Sequence, residues 1–316
     1  DYVLSGSKAL KESSIFQPKF TRTWLFLGEF TNVLAVKEKD IEEQNKLLLD
    51  ARGYFEKALE LSPKRQEIFI EIEKNYLMAK DYQTMKKIAY DCIKIDSSYG
   101  QCYWYLAVAE IFLGDQDNGK KHIEEAKAKY SAGLPYTQLG IAYISQKNYK
   151  DAAEAYRLAI IGNQDNASYH AVLAFLYKQI KEYDKARIEA IQVFRLEPEN
   201  KEVVEFLKQL LGLNPNDITL HSSLAYIYRQ TGETEKARQE FLIVKSYYEQ
   251  AVAYNPKNPS YRFSLANVYK ELEEYEKAYQ EALITEKLDP GFHAKVSEFI
   301  SSLPGDYWNR YLDRKQ

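Results

Sequence analysis

The chain has 316 residues, 45% of them hydrophobic and 28% charged, a balance that can bury a substantial core. With 43 Lys and Arg against 46 Asp and Glu, its net charge of −3 offers no basic field to nucleic acid or anionic lipid. Helix breakers are scarce (13 Gly, 9 Pro) and Tyr reaches 27, which excludes a loop-rich β fold in favour of packed helices.

Residues 1–21 are an N-terminal segment with no repeat feature. The first residue is Asp1, not Met, so a removed leader or an upstream membrane region stays open. Trp24–Phe30 is the most membrane-like stretch, far short of the roughly 18 to 20 apolar residues a span needs. From about residue 22 a pattern sets in: an aromatic, Leu followed by a small residue, Tyr, then Ala, an aromatic, Ala and a turn. The turns at Pro63, Ser97, Ser131, Gln164 and Pro198 lie 34, 34, 33 and 34 residues apart.

The first unit opens with Trp24, Leu27 and Gly28, but its Ala51, Phe55, Ala58 and Pro63 arrive 11 residues late. The charged insertion near 37–47 predicts a longer hairpin. Cys92 and Cys102 flank a predicted helix–helix turn and are either bridged or, the commoner outcome in a helical core, two small buried thiols. Tyr136, Leu139, Gly140, Tyr143, Ala152, Tyr156 and Ala159 form the clearest unit, followed by Leu173, Ala174, Tyr177, Ala186 and Ala190. In the sixth unit Leu224, Ala225 and Tyr228 precede Ala237 and Phe241, with Ala251 and Pro256 seven residues late. Seven residues is about two helical turns, so the second helix lengthens and keeps its face.

A longer repetition lies over this one. Tyr169, Leu173, Tyr177, Ala186 and Pro198 recur 92 residues on as Tyr261, Leu265, Tyr269, Ala278 and Pro290. Each copy is followed by one amphipathic helix: Val203, Phe206, Leu207 and Leu210 in the first, Val296, Phe299, Ile300 and Leu303 in the second. These read as caps, since a stack of helix pairs must cover its last apolar face. The chain then divides into a five-repeat array at 22–199, a cap and joint at 200–216, a two-repeat array at 217–290, and a cap with an aromatic tail at 291–316.

This pattern resembles the tetratricopeptide repeat family, whose signature is W-x2-L-G-x2-Y, A-x3-F and a late Pro in 34 residues. The resemblance covers about residues 22 to 290. It implies an all-α, right-handed solenoid of antiparallel helix pairs, about seven repeats in two capped arrays. It also implies that the first helix of each pair lines a groove for a protein or peptide. The ninth motif position, which faces that groove in the family, falls on Lys74, Val108, Ile141, Phe175, Tyr226 and Asn267. The fifth adds Trp104 and Phe263, and the twelfth adds Ile111, Lys178, Arg229 and Lys270. The bland reading is that Trp104 and Phe175 pack between helices. The family's carboxylate clamp needs Lys at the fifth and Asn at the ninth position of one unit, whereas this chain has Ile70 with Lys74 and Ser222 with Tyr226.

A second, shorter resemblance links Ala58–Gln66, Tyr103–Leu106 and Glu205–Lys208 to the repeat-bearing soluble tails of bacterial O-antigen ligase or polymerase-type membrane proteins. It implies an extracytoplasmic or bacterial cell-surface setting, a cytoplasmic one being the alternative. Chemistry finds little footing in the residues. No Cys or His cluster has zinc spacing, no Gly-rich loop opens a helix, and no nucleophile motif frames a Ser. His170 and His221 sit in a first-aromatic slot and read as rim or core residues; His122 and His293 carry no ligand pattern. The expectation is a non-catalytic chain without cofactor or metal, with no nucleic-acid partner and no membrane insertion. It binds a protein partner or copies of itself, with Tyr307, Trp308 and Tyr311 as candidates for an end-to-end contact. The triplet Asn166-Ala167-Ser168 is a glycosylation acceptor if the chain is exported.

Overall fold

The computed structural model describes residues 2–130 and 133–314, within which eighteen α-helices and one 3-10 turn are the regular elements, without a strand. The turn expected at Ser131 lies outside the described residues. Two compact units divide the chain, Asp1–Gln164 and Asp165–Gln316. The first holds α1 (Tyr2–Phe16), α2 (Thr21–Lys37), α3 (Ile41–Leu61), α4 (Gln66–Met78), α5 (Tyr82–Ile95), α6 (Gly100–Phe112), α7 (Gln116–Lys129), α8 (Tyr136–Ser145) and α9 (Tyr149–Gly162). The second holds α10 (Ala167–Gln179), α11 (Tyr183–Leu196), α12 (Glu202–Leu213), α13 (Ile218–Gln230), α14 (Thr234–Tyr254), α15 (Pro259–Glu271), α16 (Tyr275–Leu288), α17 (His293–Ser301) and α18 (Tyr307–Asp313).

The hairpins share one turn. Lys80, Gly114, Lys147, Lys181, Gly232 and Glu273 all take a positive φ, between 56° and 88°. The next residue then returns its N–H to the carbonyl five back: Asp81 to Tyr76, Asp115 to Glu110, Asn148 to Tyr143, Glu182 to Tyr177, Glu233 to Tyr228 and Glu274 to Tyr269, all at 2.8–3.0 Å. This double bond pattern closes a helix whose last carbonyls would otherwise be orphaned. In three hairpins the same residue also starts the second helix, since Asp81, Asp115 and Asn148 accept the N–H of Thr84, Asn118 and Asp151. A single short turn thus ends one helix and begins its antiparallel partner.

Small residues let the paired backbones approach. A Cβ placed on Gly28 would fall 2.2 Å from the Phe55 ring, and one on Gly140 2.6 Å from Tyr156. The aromatic of the second helix therefore fills the gap left by the glycine of the first. Ala107, Ala174, Ala225 and Ala266 occupy the same slot in other pairs and are all buried. The insertion lengthens the first pair as expected, giving helices of 17 and 21 residues, and α14 also reaches 21.

Polar groups that the packing buries are tied across helices. Glu110 of α6, fully buried, accepts from Tyr90 (3.3 Å), His122 (Nδ1, 2.6 Å) and Lys86 (3.2 Å), locking α5, α6 and α7 together. Asn75 donates to Asn32 (2.7 Å) and the Leu48 carbonyl (3.0 Å) and accepts from Arg52 (2.7 Å). In the second unit one station is used three times, nineteen residues apart each time: His170–Glu189, His221–Glu240 and Arg262–Glu281 at 2.6, 2.6 and 2.7 Å. The histidines that replace the first aromatic are thus partners of a carboxylate on the paired helix.

Two features were not fixed by the residue pattern. Cys92 of α5 and Cys102 of α6 are joined by a disulfide, their Cα atoms 6.0 Å apart, within the bridging range. By compactness the chain divides at 164/165. Helix α12 does not close an array: Val203, Leu207 and Leu210 share one core with Ala186 and Phe194 before it and with Leu220, Leu224 and Phe241 after it.

Replacing Lys147 by Gly relieves a left-handed side chain and is expected to raise stability by about 0.5–1 kcal/mol, measured by chemical denaturation. Gly28→Ala should lower it by about 1–3 kcal/mol, because the Phe55 ring has nowhere to retreat.

Candidate partner-binding surface

Helix α6 is apolar around its circumference, and such a helix is driven inside. Every residue from Cys102 to Ile111 is buried, because α4, α5, α7 and α8 all pack on it. Trp104 is fully covered and meets Tyr136 of α8 edge-on at 5.2 Å. Val108 is equally covered, and Ile111 fills the space over Gly119, whose Cβ would sit 2.6 Å from it. Trp104, Val108 and Ile111 are therefore core and not groove residues. Of the positions expected to face a partner in this unit, Ile141 does reach solvent, at half exposure. Lys74 pairs with Glu71 on its own helix.

The second unit presents the expected types at its surface. Phe175 (42% exposed), Tyr226 (44%) and Asn267 stand out from α10, α13 and α15. Tyr226 rests edge-on against Phe194, 6.4 Å between rings. One turn further along the same helices come the cations Lys178, Arg229 and Lys270. Arg229 is held by Glu271, through its side chain at 2.7 Å and its carbonyl at 2.8 Å.

Two of these cations repeat one arrangement. Lys178 donates to Gln209 (2.6 Å) and lies 5.4 Å over the Phe206 ring. Lys270 donates to Ser302 (2.6 Å) and lies 5.5 Å over the Phe299 ring. Phe206 and Gln209 come from α12, and Phe299 belongs to α17 with Ser302 at its C-terminal end. The two single helices read as caps from sequence therefore place an aromatic ring under the cation of the preceding hairpin. A cation over an aromatic face is favourable, by about 0.5–1 kcal/mol at exposed sites. The expected ladder is interrupted by α12, which stands beside α10, so Phe175 faces Phe206 across a groove.

That groove is a pocket of about 450 Å³. Its walls are Ala174, Val193, Val203 and the two phenylalanines, with Lys178, Glu205 and Gln209 at the rim. The equivalent station at α15 and α17 is differently filled. There Phe263 turns inward and packs edge-on against Phe292 (5.7 Å) and Phe299 (5.6 Å), while Asn267 donates to the Phe263 carbonyl. Phe206 and Gln209 complete the pocket without having been expected there. Phe206 was visible as part of a repeated amphipathic helix, but nothing local showed that this helix would face α10.

The aromatic tail folds back. Tyr311 is buried and its hydroxyl reaches Glu286 (2.9 Å) and His293 (3.2 Å). Tyr307 packs on Tyr279 at 5.3 Å and Trp308 stacks on Tyr311 at 5.6 Å, all on the core of α15–α17. Tyr307, Trp308 and Tyr311 thus spend their apolar faces inside their own unit instead of offering them end to end. Arg310 grips Glu276 of α16 through two nitrogens, at 2.9 and 3.2 Å, which holds that carboxyl down to about 2. Asn166 is the N-cap of α10 and accepts the Tyr169 N–H.

Among the described residues no helix is long and apolar enough to cross a membrane. Tetratricopeptide repeat models match residues 135–160 and 247–280. No curated protein matches the chain, so the resemblance to ligase or polymerase tails gains no support. Among solved structures, it is similar to a chain of the APC/C hetero-tetramer Cut9–Hcn1 (12% identity, TM-score 0.42, covering 91% of this chain and 50% of that one). It is also similar to the human IFIT1 dimer with PPP-AAAA (14%, 0.41, 90% and 79%) and to Pseudomonas aeruginosa PilF (16%, 0.33, 79% and 97%). The chain spans half the length of the first of these.

Because the folded value for Glu276 is depressed, its pairing stabilises α18 fully above the ordinary carboxyl value of 4.5 and is lost as pH falls through about 2. The indole N–H resonance of Trp308 should accordingly hold its position from pH 7 to 4 and move toward its unfolded value near pH 2. In Arg310→Met it should already be displaced at pH 4. The described residues thus form an all-helical chain of antiparallel pairs, with tetratricopeptide repeats matched at 135–160 and 247–280.

Proposed function

We propose that the chain is a non-catalytic protein-interaction scaffold whose second unit anchors a partner peptide in the groove between α10 and α12. The observation that carries this reading is Phe175, a large aromatic left 42% exposed at the mouth of an apolar pocket. Aromatic anchors beside a cation are the residue types that dominate binding hot spots, and a pocket of this size accepts one large apolar side chain. Lys178 shares the lining with Glu202 and Glu205, so the rim carries both signs of charge and the apolar anchor decides recognition. The inward-packed tail favours a groove partner over end-to-end growth of the chain on itself.

Selection of displayed peptides on the immobilised chain tests this. The enriched sequences should share one large apolar anchor. Phe175→Ala and Phe206→Ala should each weaken the best peptide at least about tenfold in calorimetry, about 1.4 kcal/mol. Tyr254→Ala, at an exposed position outside the pocket lining, should leave it unchanged. Enrichment that ignores Phe175→Ala would overturn the assignment.

A further inference from the structure

Glu73 lies in the middle of α4, is fully buried, and has no hydrogen-bond partner on either carboxylate oxygen. Burying an ionised carboxylate costs several kcal/mol unless a proton or a cation compensates it. The only charged neighbour with a resolved influence on it is Lys74, whose ammonium is engaged by Glu71 at 2.5 Å. The one other buried carboxylate among the described residues of this unit, Glu110, is provided for by three donors. Glu73 is the exception.

What surrounds it is specific. Cys92 and Cys102 are also fully buried, and one Glu73 oxygen and the two sulfurs lie within 4.8 Å of one another. The three donors come from three helices, α4, α5 and α6. A disulfide needs no acid beside it, and a neutral side chain would pack against one at lower cost. An oxygen and two sulfurs converging in a dry core form instead a donor set of the kind zinc accepts. The two thiolate donors exclude Mg²⁺ and Ca²⁺, which take oxygen ligands.

We propose that Cys92, Cys102 and Glu73 form, when the Cys92–Cys102 bond is reduced, a site for one thiophilic divalent cation of the zinc class. Opening the bond takes two electrons and two protons. A tertiary phosphine with water supplies both, leaving as its oxide, and each sulfur becomes a thiol. The cation then displaces the two thiol protons and any carboxyl proton to solvent and binds two thiolates and one carboxylate oxygen. Zinc takes thiolate at about 2.3 Å and carboxylate at about 2.0–2.2 Å, and three protein donors leave a fourth position for a small exogenous ligand. The oxidised form has no thiolate and does not bind. The same three helices are therefore tied either by a covalent bond or by a metal.

Co²⁺ is the probe. The full chain, refolded under a phosphine reductant, should take up one Co²⁺, with thiolate-to-metal charge-transfer absorption and the intense visible bands of a tetrahedral centre. Zn²⁺ should displace it. The oxidised chain should show neither signal. Glu73→Gln, with unchanged helical content, should weaken zinc at least about tenfold, and Cys102→Ser should abolish the charge-transfer band. X-ray absorption of the zinc-loaded wild type should find two sulfur and two light-atom neighbours, a readout that does not depend on any variant folding. Absence of the charge-transfer band in the reduced wild type would overturn the proposal. So would a first shell without two sulfurs, or a folded Glu73→Gln that binds zinc as tightly as wild type.

Discussion

Each helix pair in this chain leaves an apolar face that only a neighbouring helix can cover, and the rest of the structure follows from that constraint. A hairpin of two thirteen- or fourteen-residue helices has no interior of its own, so its stability resides in the interface with the next. In six of the hairpins the left-handed residue at the tip sets how the second helix returns along the first. Glycine and alanine then set how close the two backbones come. Where glycine stands, at Gly28 and Gly140, a ring from the partner helix occupies the space a methyl group would take.

The same constraint explains why the two units offer such different surfaces. In the first, α6 has neighbours on four sides, and the side chains that would have lined a groove are consumed as core. In the second, α12 is a single helix without a partner of its own, and it leaves a gap beside α10 that no side chain fills. The pocket is a consequence of an unpaired helix in a sequence of pairs. At the other end α17 is also single, but α18 returns onto it and Phe263 turns inward, so the corresponding space is closed.

Most buried and half-buried polar groups hold helices together, but a few, Glu73, Trp104 and Tyr279 among them, keep a buried polar atom without a hydrogen-bond partner. The carboxylates at Glu110, Glu189, Glu240 and Glu281 each meet a cation, an imidazole or a phenol on a neighbouring helix, which fixes the register of the pair. Such groups stabilise little beyond what their burial costs, but they penalise any sliding of one helix on another. Glu73 accepts no such hydrogen bond: Lys74 acts on it through charge alone, and the two sulfurs lie beside it.

The residue pattern alone determined that the chain is helical, the spacing at which one repeat gives way to the next, and which positions must be small, because helical periodicity and turn chemistry are local properties of a few neighbouring residues. It also located the lengthened first and sixth pairs and the likeness of α12 to α17. The surface was not decided at that level. Val108 and Ile111 carry the same motif positions as Asn267 and Lys270, yet they are sealed in: the apolar circumference of α6 favours burial, and the four helices that meet around it supply the cover. The union of Cys92 with Cys102, the inward turn of Tyr311 and the meeting of Phe175 with Phe206 likewise depend on distances between separate helices. Only the stacking of helix on helix, summed over each unit, decides those.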